Sequence, residues 1–355
     1  MNYDTTYAVD VAKSVFEIAV SNHPGRVRER HRLSRERFLT FFAHRKPATV
    51  LLEACGSSHH WARTLGAFGH HVVLLPPHRV RPYVTGNKTD RQDAKALLEA
   101  ARNDDVRHVP VKSIDQQSLA ALHRTRSAWI AARTARLNAV RGFLRELGVF
   151  IPRGANRVRP ALAELLEDPD SVLPGPLRPI LAESSQEIAE LERRLATLQK
   201  QLGVLAQSVP DVRLLQSTPG IGPITATALV GFVGTPHRFP SGRHFASYFG
   251  LTPKEHSSGL TRRLGGISKR GDTYLRTLLI HGARSVLAAA KRTRHPDPIQ
   301  IWALEVEQKR GHNRAAVALA NKLARITWAV WKNQRPYERR PNTPLTSEAM
   351  PTNNC

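Results

Sequence analysis

Short apolar runs, separated by polar stretches with helical spacing, fill the first hundred residues. "YAVDVA" (7–12) and "VFEIAV" (15–20) predict two strands joined by a tight connection, with "HPGR" ending the second. "RVRERHRL" (26–33) predicts a third, edge-like strand, and "SRERFLTFFAHR" (34–45) a helix capped by Ser34. A buried strand follows at "ATVLLEA" (48–54), then a helix from Ser57 or Ser58 to about Phe68, then a strand at "HHVVLLP" (70–76). "KTDRQDAKAL" (88–97) opens another helix, because Thr89 and Gln92 have the T-x-x-Q spacing of a capping box. Strands alternating with helices predict a mixed sheet covered by helices.

Two long helices come next. The first runs from about Ile114 to Gly148, opened by Ser113 and Gln116. The second carries a heptad pattern at Leu177, Leu181, Ser184, Ile188, Leu191, Leu195, Leu198, Leu202 and Leu205. That pattern fits either a helical hairpin within one chain or an oligomerisation arm. Pro152, Pro169, Pro174, Pro176 and Pro179 mark the connection between the two. From Val209 the character changes: "LLQSTPGIGPITATALVGFVG" sets Gly220 and Gly222 between two apolar helical segments, as in a helix-hairpin-helix. A glycine turn of that kind lets backbone N–H groups approach a phosphate. The expected organisation is α/β followed by all-α: a sheet domain over 1–112, a long-helix connection over 113–208, a helical C-terminal domain over 209–335, and a flexible, Pro-rich tail over 336–355.

Charge narrows the function. The 355 residues carry a formal net charge of +24, which argues for a polyanionic partner whose condensed counterions are released on binding. Residues 210–340 hold 22 Lys and Arg against 7 Asp and Glu, interleaved with Tyr248, Phe249, Tyr274 and Trp302, and so read as a nucleic-acid surface. No apolar run long enough to span a membrane occurs, and the N-terminus lacks the order of a signal peptide. With Cys55 and Cys355 as the only cysteines there is no disulfide framework, which fits a reducing cytoplasm. Cys55 with His59, His60, His70 and His71 lacks the paired spacing of structural zinc sites, so the histidines read as surface or packing residues. No G-x-x-x-x-G-K-[ST] occurs to indicate ATP use.

Against this basic background four acids stand out. Asp10 lies inside an apolar run and Glu53 ends another, and a buried carboxylate is costly unless it is paired or binds a metal. Asp90 and Asp93 sit three apart at a helix start, on one face. If the two strands are neighbours and that helix packs across their edge, the four acids supply the oxygen ligands that Mg²⁺ takes. The bland alternative is a turn former and a pair that serves the helix dipole.

Taken together, "YAVDVAKSVFEIAV", "LLEACGSSHHWARTL", "NKTDRQDAKAL", "STPGIGPITATALVGFVG" and "SYFGLTPKEHSSGLTRRLGGISKRGDTYLRTLLIHGAR" resemble the DEDD-type transposases of bacterial insertion sequences, in order, over residues 7 to about 335. The resemblance implies a RuvC/RNase H-like nuclease domain followed by a C-terminal transposase domain. It implies Mg²⁺ (two ions, with Mn²⁺ as an alternative) at Asp10, Glu53, Asp90 and Asp93. It also implies a nucleophilic serine after "GLTP", which aligns on Ser258, with Arg262, Arg263, Lys269 and Arg270 placed to offset charge on a phosphate. Gly220, Gly222 and these four basic residues are the expected nucleic-acid contacts. Further implications are target and donor DNA as substrates, a structured bridge RNA as guide, a homo-oligomer from dimer to tetramer, and a cytoplasmic, nucleoid-associated bacterial protein. Tyr248 and Tyr274 read as helix-face residues rather than nucleophiles. Two alternatives remain: a metal-dependent junction nuclease that uses water, and a non-enzymatic nucleic-acid-binding regulator.

Overall fold

The computed structural model describes residues 5–23, 26–85 and 89–339. Pro24 and Gly25 of the strand break, Lys88 of the helix-opening motif, the first four residues and the tail from 340 onward lie outside the described residues. The chain divides into two compact units, Met1–Asp115 and Gln116–Cys355.

In the first unit the apolar runs become β1 (Thr6–Val11), β2 (Val15–Ser21), β3 (Glu29–Ser34), β4 (Thr49–Glu53) and β5 (His71–Leu75), in the sheet order β3-β2-β1-β4-β5. The β3/β2 and β2/β1 pairs are antiparallel, while β1/β4 and β4/β5 are parallel. This mixed sheet with covering helices agrees with the RuvC-like expectation. Basic, half-exposed β3 takes one edge, where charge discourages further strand pairing. Alternation along the strands sends successive side chains to opposite faces. One face carries Val9, Phe16, Ile18, Val50 and Leu52 under helices α1 (Arg35–Ala43) and α2 (Ser58–Ala67). Phe16, Phe38 and Trp61 pack edge to face there, with ring centroids 4.5–5.2 Å apart. Ser34 caps α1 by accepting from Arg37 N–H. A short helix, α3 (Pro77–Val80), leads on to α4 (Asp90–Ala100). The opposite face of the sheet carries Ala8, Ala19, Leu51, Val73 and Leu75, and α4 covers it with Ala94, Leu97 and Leu98.

The second unit is mostly helical. Helix α5 (Ile114–Glu146) is followed by α6 (Val158–Glu167), which forms inside the proline-marked connection, and by α7 (Leu177–Ser208). Pro179 falls in the first turn of α7, where a proline is tolerated. Every heptad position of α7 is buried or half-buried. Leu181 and Ile188 pack with Leu137, Val140 and Leu144 of α5 and with Val158 and Leu162 of α6. Leu198 and Leu202 join the larger core further along. Arg136 and Glu187 pair across α5 and α7 at 2.5 Å. The heptad face is therefore covered within one chain, as in the hairpin alternative.

Helices α8 (Pro210–Leu215), α9 (Pro223–Val233) and α10 (Gly242–Tyr248) lead to a two-stranded hairpin, β6 (Pro253–Glu255) and β7 (Leu264–Ile267), and then to α11 (Thr273–Ala290), α12 (Pro298–Arg310) and α13 (His312–Asn333). The hairpin departs from the all-helical expectation. Its strands are short, and glycines at 265 and 266 erase the alternation that would announce β7. Between α8 and α9, Gly220 adopts φ +76°, and a Cβ there would stand 2.7 Å from the Gly282 carbonyl oxygen of α11. That glycine serves a close backbone crossing. Gly222 precedes Pro223 at the start of α9 in open space. Phe249, expected on a nucleic-acid surface, is fully buried instead, 4.8 Å from Phe245. The aromatic-basic interleaving in this stretch partly reflects core packing.

Candidate active site

Asp10 shares the parity of Ala8, and Glu53 that of Leu51, so both face the side of the sheet that α4 covers. The parallel pairing of β1 with β4 ends at Val9↔Leu52, and the two acids are the next residues on adjacent strands. They occupy the C-terminal ends of those strands, where open sheets with parallel strands place their ligands. The Thr89 hydroxyl accepts from Gln92 N–H, and this cap fixes Asp90 and Asp93 in the first turn of α4 above that edge. Carboxylate oxygens of Asp10, Asp90 and Asp93 all lie within 4.8 Å of one another. Glu53 stands outside that set, half-buried on the same face. Two like charges at such a distance repel by about 3 kcal/mol at an effective dielectric constant of 20. A hard divalent cation converts that repulsion into coordination, and an all-oxygen set of this kind fits Mg²⁺ or Mn²⁺.

The structure adds Glu17, which the sequence pattern alone did not single out. It pairs with Asp10 across β1 and β2 and is only 7% exposed. Asp10 and Glu17 are cross-strand neighbours with side chains on one face. Arg91 of α4 reaches Glu17 at 3.7 Å, and Arg30 of β3 donates to the Arg91 carbonyl at 3.1 Å. A cavity of about 370 Å³ beside the cluster is lined by Glu17, Asp90 and the guanidinium-bearing Arg30, Arg32 and Arg91, among others. Cationic groups next to a carboxylate cluster suit a phosphate that must approach the metal ligands. The signal existed in the sequence, since Glu17 interrupts "VFEIAV" as Asp10 interrupts "YAVDVA".

Ser258 sits at the tip of the hairpin, in the second unit. Ser258 and Thr261 exchange backbone hydrogen bonds at 3.1–3.2 Å around Gly259 and Leu260. Gly259 at φ +54° supplies the positive φ that a two-residue primed turn needs at its first central position. Residues 253–266 are all exposed, Leu260 completely. The arm is anchored at its base: Lys269 N–H donates to the Gly250 carbonyl, and Ser268 N–H to that of Thr252. A Cβ on Gly250 would collide with the Arg270 backbone, and one on Gly271 with the Tyr248 carbonyl.

The two adjacent serines differ in what they touch. The Ser257 hydroxyl donates to Glu255 at 2.7 Å and accepts from Arg263 N–H at 3.2 Å, so it ties the two strands together. Arg262 reaches Glu255 as well, at 3.2 Å. The Ser257 hydrogen bond, with help from Arg262, holds the Glu255 carboxyl below its ordinary range, which makes it a weak base. Among the described residues the Ser258 hydroxyl has no hydrogen-bond partner. Lys269 and Arg270 lie at the base of the arm, and Lys269 adopts φ +54° there.

His70, His59 and Tyr274 have structural tasks. His70 is buried between Ala48 N–H and the Phe42 carbonyl, and His59 Nδ1 accepts from Lys112 N–H. The Tyr274 hydroxyl is held by His123 at 2.9 Å and by Arg126 at 3.2 Å, while His123 also meets Thr227 at 3.0 Å. Burial, and secondarily the Arg126 charge, push His123 down to about 4.

A family described as "Transposase", with a DEDD domain, matches residues 7–149, and the "Transposase IS116/IS110/IS902 family" matches residues 212–296. The chain is 43% identical over 331 residues to a Pseudomonas aeruginosa protein named "Probable family 20 transposase", covering 93% of this chain and 97% of that one. It is 38% identical over 329 residues to the transposase for insertion sequence element IS1111A of Coxiella burnetii, covering 93% of this chain and 90% of that protein. The transposase for insertion sequence element IS1328 of Yersinia enterocolitica is 35% identical over 327 residues, or 92% of this chain and 96% of that protein. On these matches, spanning both the acidic cluster and the serine hairpin, the chain belongs to the IS116/IS110/IS902 family of transposases.

Proposed function

We propose that the protein cuts and rejoins DNA through a covalent phosphoserine on Ser258, with divalent metal held by Asp10, Glu53, Asp90 and Asp93. The observation that carries this reading is the convergence of Asp10, Asp90 and Asp93 within 4.8 Å at the strand ends of the first unit. Bound there, Mg²⁺ would neutralise charge on a phosphate and activate the attacking oxygen. The chain's own residues do the rest. The two strands and the Thr89 cap hold the carboxylates in place, and Arg30, Arg32 and Arg91 attract the phosphate. The exposed arm presents a hydroxyl with no competing partner among the described residues. Its oxygen forms a bond to phosphorus while the bond to one strand's oxygen breaks; the proton that the serine loses is balanced by one taken up at the departing oxygen, so that strand leaves as an alcohol. Because the ester conserves the energy of the broken linkage, rejoining needs no nucleotide.

In this reading residues 1–112 form the nuclease part, 113–208 the long-helix connection and 209–335 the transposase part. Acids and serine are brought to one phosphate in an assembly of dimer to tetramer. Carried over from the resemblance, a structured bridge RNA pairs with target and donor DNA, so the protein holds backbones while base pairing reads sequence. The Gly220–Gly222 turn, Arg262, Arg263, Lys269 and Arg270 are its proposed phosphate contacts.

The test is adduct formation with element-end DNA, guide RNA and Mg²⁺. Wild type should give a denaturation-resistant protein–DNA adduct whose phosphate maps to Ser258, and both Asp10→Asn and Ser258→Ala should lose it while still binding nucleic acid. Metal-dependent cleavage that persists in Ser258→Ala would instead establish the hydrolytic nuclease, and a phosphate mapped to another residue would reject the serine assignment.

A further inference from the structure

The second unit contains a groove of about 1720 Å³, larger than the 300–1,000 Å³ usual for small-molecule pockets. Helix α13 forms one side. Its opposite face is buried core from Ala315 to Trp331, and it turns Arg314, Lys322 and Arg325 to the groove at helical spacing. Strand β7 and Pro253, the arm that carries Ser258, line it as well. Arg243 of α10 and Arg310 of α12 bring the cations to five, and among the described residues no carboxylate lines the groove. Among the described residues none of the five forms an ion pair, whereas Lys291 nearby in sequence is paired with Glu307 at 2.8 Å. Five unneutralised cations around one concave surface repel one another, and a polyanion removes that repulsion. Burial, and then the Arg325 charge, hold the Lys322 ammonium below the usual lysine range, and its Nζ rests 4.1 Å over the Trp302 ring.

We propose that this groove binds one strand of DNA along its phosphate backbone, beside the arm that ends in Ser258. The choice of DNA rests on the strand-transfer reading above; the groove's own chemistry supports it. Leu251, Val317 and Ala318 give it an apolar floor suited to a deoxyribose edge. Its neutral polar groups are already engaged: Ser241 with His244 at 2.8 Å, Asn313 with Arg284 at 3.1 Å, and Asn321 with the Leu251 carbonyl at 3.1 Å. They are poorly placed to read a 2′-hydroxyl, the group by which proteins tell RNA from DNA. A strand in the groove would pass the anchored base of the arm. Binding there would fix the distance from a backbone position to the serine.

The experiment measures binding of a fluorescent single-stranded DNA, and of the same sequence as RNA, to the full chain in EDTA across a salt series. Arg314→Ala/Arg325→Ala should weaken DNA binding and lower the salt slope by about 1.4, since each lost phosphate contact removes about 0.7 on a single strand. Lys200→Glu, on exposed α7 surface, should leave the slope unchanged. As a second readout independent of any variant, bound DNA should protect Lys322 of the wild-type protein from reductive methylation. An unchanged DNA slope in the double variant, or an unprotected Lys322, overturns the proposal. A double variant that loses RNA and keeps DNA overturns the choice of strand. Both readouts are made without metal or chemistry. Failure of serine adduct formation therefore counts against the function proposed above, and an unaltered slope against the groove.

Discussion

Glu17 and Asp10 oppose each other on neighbouring strands, with Asp90 and Asp93 above them. Acids this close repel one another wherever no cation offsets them, a common cost of functional sites. Asp10→Asn should therefore raise the thermal midpoint in EDTA and abolish the further rise that Mg²⁺ gives the wild type. A metal present at 100 times its dissociation constant adds about 2.7 kcal/mol to the fold that binds it. A variant whose midpoint fell in EDTA and still responded to Mg²⁺ would argue that Asp10 is a structural acid. Glu17→Gln should keep a response to Mg²⁺ but need several-fold more metal for it, because one negative charge beside the ligands is gone; a metal titration followed by melting decides this. At the hairpin tip, Ser257→Ala should retain the DNA adduct at reduced yield. The Ser257 hydroxyl ties Glu255 to the Arg263 backbone, and losing it loosens the turn without touching the Ser258 oxygen. Mass mapping of the adduct in both serine variants separates the two roles.

Elements differ in how openly the sequence declares them. The sheet was legible because β1, β2, β4 and β5 are runs of apolar residues broken by turn residues, and α4 because Thr89 and Gln92 mark its start. Asp10 and Glu53 were legible for the same reason, as charges where the pattern demands carbon. Glu17 required the β1/β2 register, which no local pattern contains, before its charge could be placed opposite Asp10. The serine arm was hidden, since exposed strands with two glycines have no hydrophobic alternation to read. Helix α5 hid a polar anchor: His123, fully buried, joins α5 to α9 through Thr227 and to α11 through Tyr274. Its pKa in the fold is about 4, against 6.5 when unfolded, so the unfolded chain takes up a proton first on acidification. The stabilising effect is complete above pH 6.5 and is lost as pH falls towards 4. The loss amounts to roughly 3 kcal/mol, because a tenfold difference in proton affinity between the folded and unfolded chain is worth about 1.4 kcal/mol. Urea unfolding of the second unit should show that slope, and His123→Gln should flatten it within the same window. An identical pH dependence in both proteins would remove His123 as its source.

At the scale of the whole molecule, the net charge of +24 and the acidic cluster make opposite demands on solution conditions. In the proposed function the cations act through counterion release, which depends on salt and needs no protein-bound metal; the cluster acts through coordination, which depends on metal and is far less sensitive to salt. Binding and chemistry should therefore separate cleanly. In EDTA the wild-type protein should still bind DNA, with affinity falling about 10³-fold or more between 50 and 200 mM salt if six or more phosphates are contacted. Adding Mg²⁺ should start strand chemistry while weakening binding, because divalent ions compete with the protein's cations for the phosphates. Asp10→Asn should follow the wild-type binding curve at every salt concentration and remain inert. Filter binding and adduct assays on the same samples make the comparison direct. A shallow salt dependence would show that the basic surface is not where nucleic acid sits, and binding that vanished in EDTA would mean that the metal site itself holds the DNA.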